Sequence, residues 1–192
     1  MTKQLKLVAV SGGLQRPSRT LVLVEEIVAA LSAVVALDVR LVELGEMAPA
    51  LGRTVYRNQL PSEARAHVEA IEGADALVVA SPVFRGSFTG LFKHLFDLVG
   101  QDALVDKPVL LAATGGSERH SLVIEHQLRP LFAFFQTLTL PLGVYASEHD
   151  FDGYEIASTA LRQRIALAVE RAAPWLEGRA ASAAAASEIV AA

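Results

Sequence analysis

Apolar residues follow two rhythms along this chain, short unbroken runs and longer stripes at helical spacing. Leu5–Val10 is a compact apolar run that stops at Ser11-Gly12-Gly13, as a buried strand entering a loop does. Thr20–Ala33 is apolar nearly all round, which predicts a well-covered helix. Leu37–Leu44 sets Val39, Leu41 and Leu44 against Asp38, Arg40 and Glu43, the alternation of a strand. Residues 45–60 hold Gly45, Pro49, Gly52 and Asn58 with weak periodicity and predict a long loop. Ser62–Glu72 follows Pro61 and places Ala64, Val68 and Ile71 on one helical face. Ala76–Ala80 is a further buried strand, halted by Ser81-Pro82. The sharpest stripe comes next: Phe88, Leu91, Phe92, Leu95, Phe96 and Val99, with Lys93, His94 and Asp97 on the opposite side. Val109–Ala113 predicts a fourth strand, Ser121–Phe135 a helix, Leu138–Ala146 a fifth strand and Tyr154–Leu176 a closing helix.

Five strands with helices between them predict an α/β fold with a doubly wound five-stranded parallel sheet covered on both faces. The length of 192 residues suits one domain, expected over residues 1–177. Residues 178–192 are almost wholly Ala and Ser and bury little, so they are expected to form a disordered or frayed tail. With 52% apolar and 20% charged residues the core is ample. A net charge of −4 argues against a nucleic-acid surface, which needs a basic stripe. There is no cysteine, so thiol catalysis and disulfides are excluded. The start, Met1-Thr2-Lys3-Gln4 and a short apolar run, does not read as a signal peptide, and no membrane span follows. A soluble cytoplasmic protein is expected.

In a doubly wound sheet, ligands bind beyond the carboxyl ends of the strands, where the winding reverses. Three loops lie there. The first runs from Ser11 to Thr20 and enters a helix. Its unpaired N–H groups carry partial positive charge and suit a phosphate, with Ser11, Ser18 and Thr20 as hydroxyl donors and Arg16 and Arg19 as cations. The other reading is an ordinary strand-to-helix turn capped by Ser18. It lacks both GxxxxGK[ST] and GxGxxG. The second, Ser81-Pro82-Val83-Phe84-Arg85-Gly86-Ser87, can lay an apolar residue and an aromatic against a planar ring with Arg85 at its polar edge; Phe84 could as well be tucked into the core. The third, Thr114-Gly115-Gly116-Ser117, can offer amides to a heterocycle edge, or be a tight turn needing glycine. Together they describe one ligand with a phosphate at one end and a planar heterocycle at the other.

With these loops the chain resembles the NAD(P)H-dependent FMN reductases, in particular the reductase components of two-component alkanesulfonate and methanesulfonate monooxygenases. The matching segments are Ser11–Thr20, Ser81–Ser87 and Thr114–Ser117 with His120, spaced alike from about residue 5 to residue 175. The resemblance implies a flavodoxin-like enzyme, often a homotetramer, that reduces FMN with NADH or NADPH and passes it to a flavin-dependent monooxygenase. It implies that Ser11, Ser18, Arg19 and Thr20 serve the phosphate, beside the Arg16 cation that the loop itself offers. Pro82, Val83, Phe84 and Arg85 would line the isoalloxazine, and Thr114, Gly115, Gly116 and Ser117 its pyrimidine side. Phe84-Arg85 stands where Tyr-Lys is common among relatives, which excludes a tyrosine hydroxyl there. Because the cofactors carry the hydride chemistry, no catalytic acid or base is expected. Because His149 in Glu148-His149-Asp150 has no second ligand at metal spacing, no metal is expected.

Helix 121–135 has a broken phase. Phe132, Leu131, Leu128 and Ile124 share a stripe with Phe135, but Leu122 and Val123 fall off it, and Pro130 offers no amide to the His126 carbonyl. A one-residue π-type insertion produces this pattern, and the sulfonate-linked reductases carry one in that helix at a subunit interface; a simple proline kink is the other reading. His67 and His94 are expected to be solvated, His149 to be a loop residue, and Trp175 to anchor the core. Two rivals share much of this pattern. An FMN-bound quinone or azo reductase shares every motif, whereas a flavodoxin-type electron carrier would be more acidic.

Overall fold

The computed structural model describes residues 4–191, from residue 180 onward as backbone only; Met1–Lys3 and Ala192, part of the start and tail readings, lie outside the described residues. Its centre is a parallel sheet of strands β1 (Leu5–Ser11), β2 (Leu37–Glu43), β3 (Ala76–Pro82), β4 (Pro108–Gly115) and a fifth position made of two pieces. The order is β2-β1-β3-β4-β5, so the winding reverses between β1 and β3. This is the doubly wound parallel sheet that the alternation of runs and stripes predicts, in the flavodoxin-like form that the family resemblance implies.

The unbroken apolar runs exist because both faces are covered. In β1, Val8 and Val10 face one half of the core while Leu5, Leu7 and Ala9 face the other. β3 and β4 divide in the same way, Leu77 and Val79 against Ala76, Val78 and Ala80, Val109 and Leu111 against Leu110 and Ala112. The second face is rich in alanine, and α1 (Arg19–Ser32) packs there through Leu23, Val24, Ile27 and Leu31. The opposite half is built on the Phe stripe. Helix α4 (Gly90–Asp97) buries Phe92, Leu95 and Phe96, and it is capped by the Thr89 hydroxyl, which accepts the Phe92 N–H at 3.2 Å.

Four expectations are corrected. Residues 45–60 are not all loop: α2 (Leu44–Leu51) buries Leu44, Met47 and Leu51, and a 3₁₀ turn spans Arg57–Gln59. Gly45 and Pro49 obscured that face, and Pro49 removes one backbone donor from a helix held by packing. Helix α3 (Ser62–Glu72) follows as predicted. The fifth strand is interrupted, as β5 (Leu138–Thr139) and β6 (Val144–Ser147), both pairing with β4. Pro141 cannot donate to the ladder, and five steps on this strand oppose three on β4 between the flanking pairs. Tyr154 belongs to no helix: β7 (Phe151–Asp152) and β8 (Glu155–Ile156) form a hairpin around Gly153-Tyr154, and α6 (Thr159–Ala191) starts beyond it. The α6 stripe of Leu161, Ile165, Ala168, Val169, Ala172 and Leu176 leaves Trp175 facing out at 53% exposure, so it is no core anchor. The backbone of α6 continues through the Ala/Ser-rich residues read as a tail, in keeping with the high helix propensity of alanine.

The broken phase of residues 121–135 is a π turn. Ile124–Leu128 is π-helical, with the Arg129 N–H bonded to the Ile124 carbonyl five residues back, and α5 (Arg129–Phe134) continues from it. Arg129 also ties this turn to the strand break, through Glu125 at 2.6 and 2.9 Å and the Leu140 carbonyl at 3.1 Å.

Candidate functional site

The three loops converge at the carboxyl edge of the sheet on one cavity of about 570 Å³, within the roughly 300–1,000 Å³ typical of small-molecule sites. The first loop supplies Gly13, Leu14, Gln15 and Pro17, and the start of α1 supplies Ser18, Arg19 and Thr20. The Ser18 hydroxyl caps α1 by accepting the Leu21 N–H at 3.2 Å, and its own proton remains to be donated. No acidic residue stands in the first turn of α1, so its positive end is uncompensated by the helix itself. The second loop contributes Pro82, Val83 and Phe84, and the third Thr114, Gly115 and Gly116.

Phe84 is 55% exposed and not tucked into the core. The pair Phe84 N–H to Ser87 carbonyl at 2.7 Å and its reciprocal at 3.1 Å closes a two-residue turn over Arg85 and Gly86. Both have positive φ, 52° and 82°, the primed geometry that a glycine eases. The turn holds Phe84 at the cavity wall and sends Arg85 out to its tip. The first and third loops are joined by the buried Thr20 and Thr114 hydroxyls, 2.6 Å apart.

Four of the residues expected at the site stand off the cavity wall. Ser11 is buried in the β1 ladder between β2 and β3. Arg16 turns away to a separate small cleft, where its Nε donates to Glu43 at 2.8 Å. Arg85 is exposed at its turn tip. Ser117, the last residue of the third loop, does not line the cavity, and its carbonyl accepts the Tyr145 hydroxyl at 2.6 Å. Burial, with the charges of Glu118 and Asp150, pushes that tyrosine up to about 12, so it stays a donor. Gly115 is required by this arrangement: a Cβ there would overlap the Tyr145 hydroxyl.

Residues 146–154 complete the wall, and sequence reasoning missed them. Ala146, Ser147, Glu148, Phe151 and Tyr154 line the cavity with the three loops. Arg19 reaches them: its Nε donates to the Gly153 carbonyl at 3.0 Å and its Nη1 to Glu148 at 2.6 Å. Its guanidinium lies 5.9 Å from the Phe151 ring centre and 5.7 Å from that of Tyr154. The signal available was Gly153 between polar residues, a hairpin turn hidden by the helical reading of 154–176. Two histidines are also less solvated than expected. His94 Nε2 bonds the Thr54 carbonyl at 2.7 Å, and half-buried His67 leaves Nδ1 without a partner, burial lowering its pKa.

Residues 5–152 match the family described as NADPH-dependent FMN reductase. The chain is 60% identical over 179 residues to an FMN reductase (NADPH) of Pseudomonas aeruginosa, covering 93% of this chain and 96% of the relative. It is 59% identical over 174 residues to the NADH-dependent FMN reductase SfnF of Pseudomonas fluorescens, covering 91% and 93%. Among solved structures, an oxidoreductase of Corynebacterium diphtheriae superposes with a TM-score of 0.77 at 37% identity, covering 91% of this chain and 98% of that one.

Proposed function

This chain belongs to the NADPH-dependent FMN reductase family and is an oxidoreductase of that kind, and from that premise we propose that its cavity takes FMN with the phosphate at the first loop and the ring between the second and third. The observation that carries this reading is the convergence of three loops, far apart in sequence, on one cavity lined both by Ser18, Arg19, Thr20 and Thr114 and by Pro82, Val83 and Phe84. The donor set fits an anion: the α1 amides, the Ser18 hydroxyl and the Arg19 cation. Bound there, the flavin would supply hydride-accepting chemistry and the nicotinamide nucleotide the hydride. The chain's own work is to orient and to exclude water. With flavin bound, Val83 and Phe84 would support one face of the ring, and the amides of Gly115 and Gly116 would favour negative charge on its pyrimidine edge.

Arg19→Ala is the direct test. A charge-assisted phosphate contact contributes about 1.5–3 kcal/mol, so FMN affinity should fall roughly ten- to a hundredfold while riboflavin affinity falls little. Equal losses for the two flavins in a fluorescence titration would remove the phosphate from this loop.

The finer reading is that reduced FMN leaves for a flavin-dependent monooxygenase, which the likeness of the loops to sulfonate-linked reductases supports. Steady-state nucleotide oxidation that saturates with added FMN is the expected result. FMN that co-purifies and does not exchange would favour a quinone or azo reductase. We also place the π turn at a contact between copies of the chain, as in a tetramer. Beside exposed His126, Leu122 is 60% exposed, and Phe134 in the following helix is 61% exposed, apolar surface that a second copy would cover. Deleting His126 should restore regular helical phase and shift the oligomer population in sedimentation velocity, with the monomer fold kept. An unchanged population and unchanged turnover would confine the π turn to a local role. Among the described residues no helix is long and apolar enough to cross a membrane.

A further inference from the structure

The cation nearest the proposed phosphate position already has an anion of its own. Arg19 Nη1 donates to Glu148 at 2.6 Å, a residue of the same cavity wall 129 residues along the chain. Both side chains line the cavity and both keep access to solvent. Three other contacts locate the guanidinium without the carboxylate: the Gly153 carbonyl at 3.0 Å and the rings of Phe151 and Tyr154. The carboxylate is therefore not needed to hold Arg19 in place. What it does is neutralise it.

We infer that Glu148 is an internal competitor for Arg19, a carboxylate that the flavin phosphate must displace and that returns when the flavin leaves. This rests on the proposed placement of the FMN phosphate at the first loop. A phosphate monoester arriving beside Arg19 meets a cation whose charge is already satisfied, and its own negative charge repels Glu148. Binding must part an ion pair before it makes one, so the net gain is smaller than for a free arginine. On release the same carboxylate takes back the guanidinium, and the departing phosphate leaves no unpaired cation behind. A chain that hands its flavin on is served by such a loan of affinity; one that keeps its flavin is not. Glu148 is a specificity-determining residue acting through Arg19: it lowers affinity for the phosphorylated flavin alone, because riboflavin carries no phosphate to compete with it.

Glu148→Gln keeps the side-chain length and removes the charge. Exposed ion pairs of this kind correspond to roughly 1.5- to 5-fold in affinity, so Glu148→Gln should bind FMN about that much more tightly, with riboflavin unchanged. FMN should also dissociate more slowly in stopped flow. Glu155→Gln, in the hairpin that follows the Glu148–Asp150 turn and without contact to Arg19, removes an equal charge and should change neither flavin. Unchanged or weaker FMN binding in Glu148→Gln overturns the competition. So does equal tightening in Glu148→Gln and Glu155→Gln, which would be a general charge effect. Arg19→Ala, run alongside, separates the two levels. Equal losses of FMN and riboflavin there overturn the phosphate placement itself, whereas a selective FMN loss with a silent Glu148→Gln overturns only the competition. In Arg19→Ala the added Glu148→Gln should lose most of its effect on FMN, as coupling through one cation requires.

Discussion

Phe96→Ala is expected to lower the thermal midpoint by about 6–20 °C. Phe96 is 1% exposed and sits where α4 meets α5. Its ring centre lies 4.9 Å from Phe92, 4.8 Å from Phe132 and 6.3 Å from Phe135, the latter two edge-on. Truncation removes the buried ring area and these edge-to-face contacts together, and α4 cannot collapse into the space while Phe92 and Leu95 hold it to the sheet. The cost is about 3–5 kcal/mol. A domain that is stable by only about 5–15 kcal/mol feels that strongly. Urea melts measure it directly; a loss below about 1.5 kcal/mol would show that the cluster repacks around the gap.

Gly115→Val is expected to weaken FMN and riboflavin alike by roughly tenfold or more. From sequence, bulk at this position would meet the flavin ring itself. The structure gives a different reason. The missing Cβ points behind the loop onto the Tyr145 hydroxyl, so a valine must push that ring off the Ser117 carbonyl or push the 114–117 backbone toward the cavity. Overpacking of this kind costs about 1–3 kcal/mol, and a shift of about 1 Å in a positioning loop can cost two orders of magnitude in function. Tyr145→Phe removes the offending oxygen, so Gly115→Ala with Tyr145→Phe should cost less than the two changes added together. Gly116→Ala is the contrast: its Cβ meets nothing within 4 Å, and the fold should not notice it. A folded Gly115→Val chain with ordinary flavin affinity would sink the placement of the ring against this loop.

Much of this was legible in the residues. The runs of β1, β3 and β4 could only be strands covered on both sides, and the Phe88–Val99 stripe only a helix on a core. The three loops could be placed at one edge because parallel strands all end on the same side. Even the π turn was visible, since a one-residue insertion leaves a phase error and Pro130 marks where a backbone donor is missing. These features are local: each is written in the period of a single segment or in the direction a strand must run.

Tertiary structure decided what depends on two distant segments meeting. Helix α2 lies in a stretch whose glycine and proline predict a loop, and burial of Leu44, Met47 and Leu51 outweighs that weak propensity. The fifth strand breaks because Pro141 cannot pair, yet its halves find β4 again two residues out of step, a register no single strand contains. The cavity wall at 146–154 and the tie between Arg19 and Glu148 exist only once α1 and the last strand lie side by side. Arg16 and Arg19 are three residues apart and look alike in the sequence. One turns outward to Glu43 and the other inward to the cavity, because helix α1 begins between them and sets their directions.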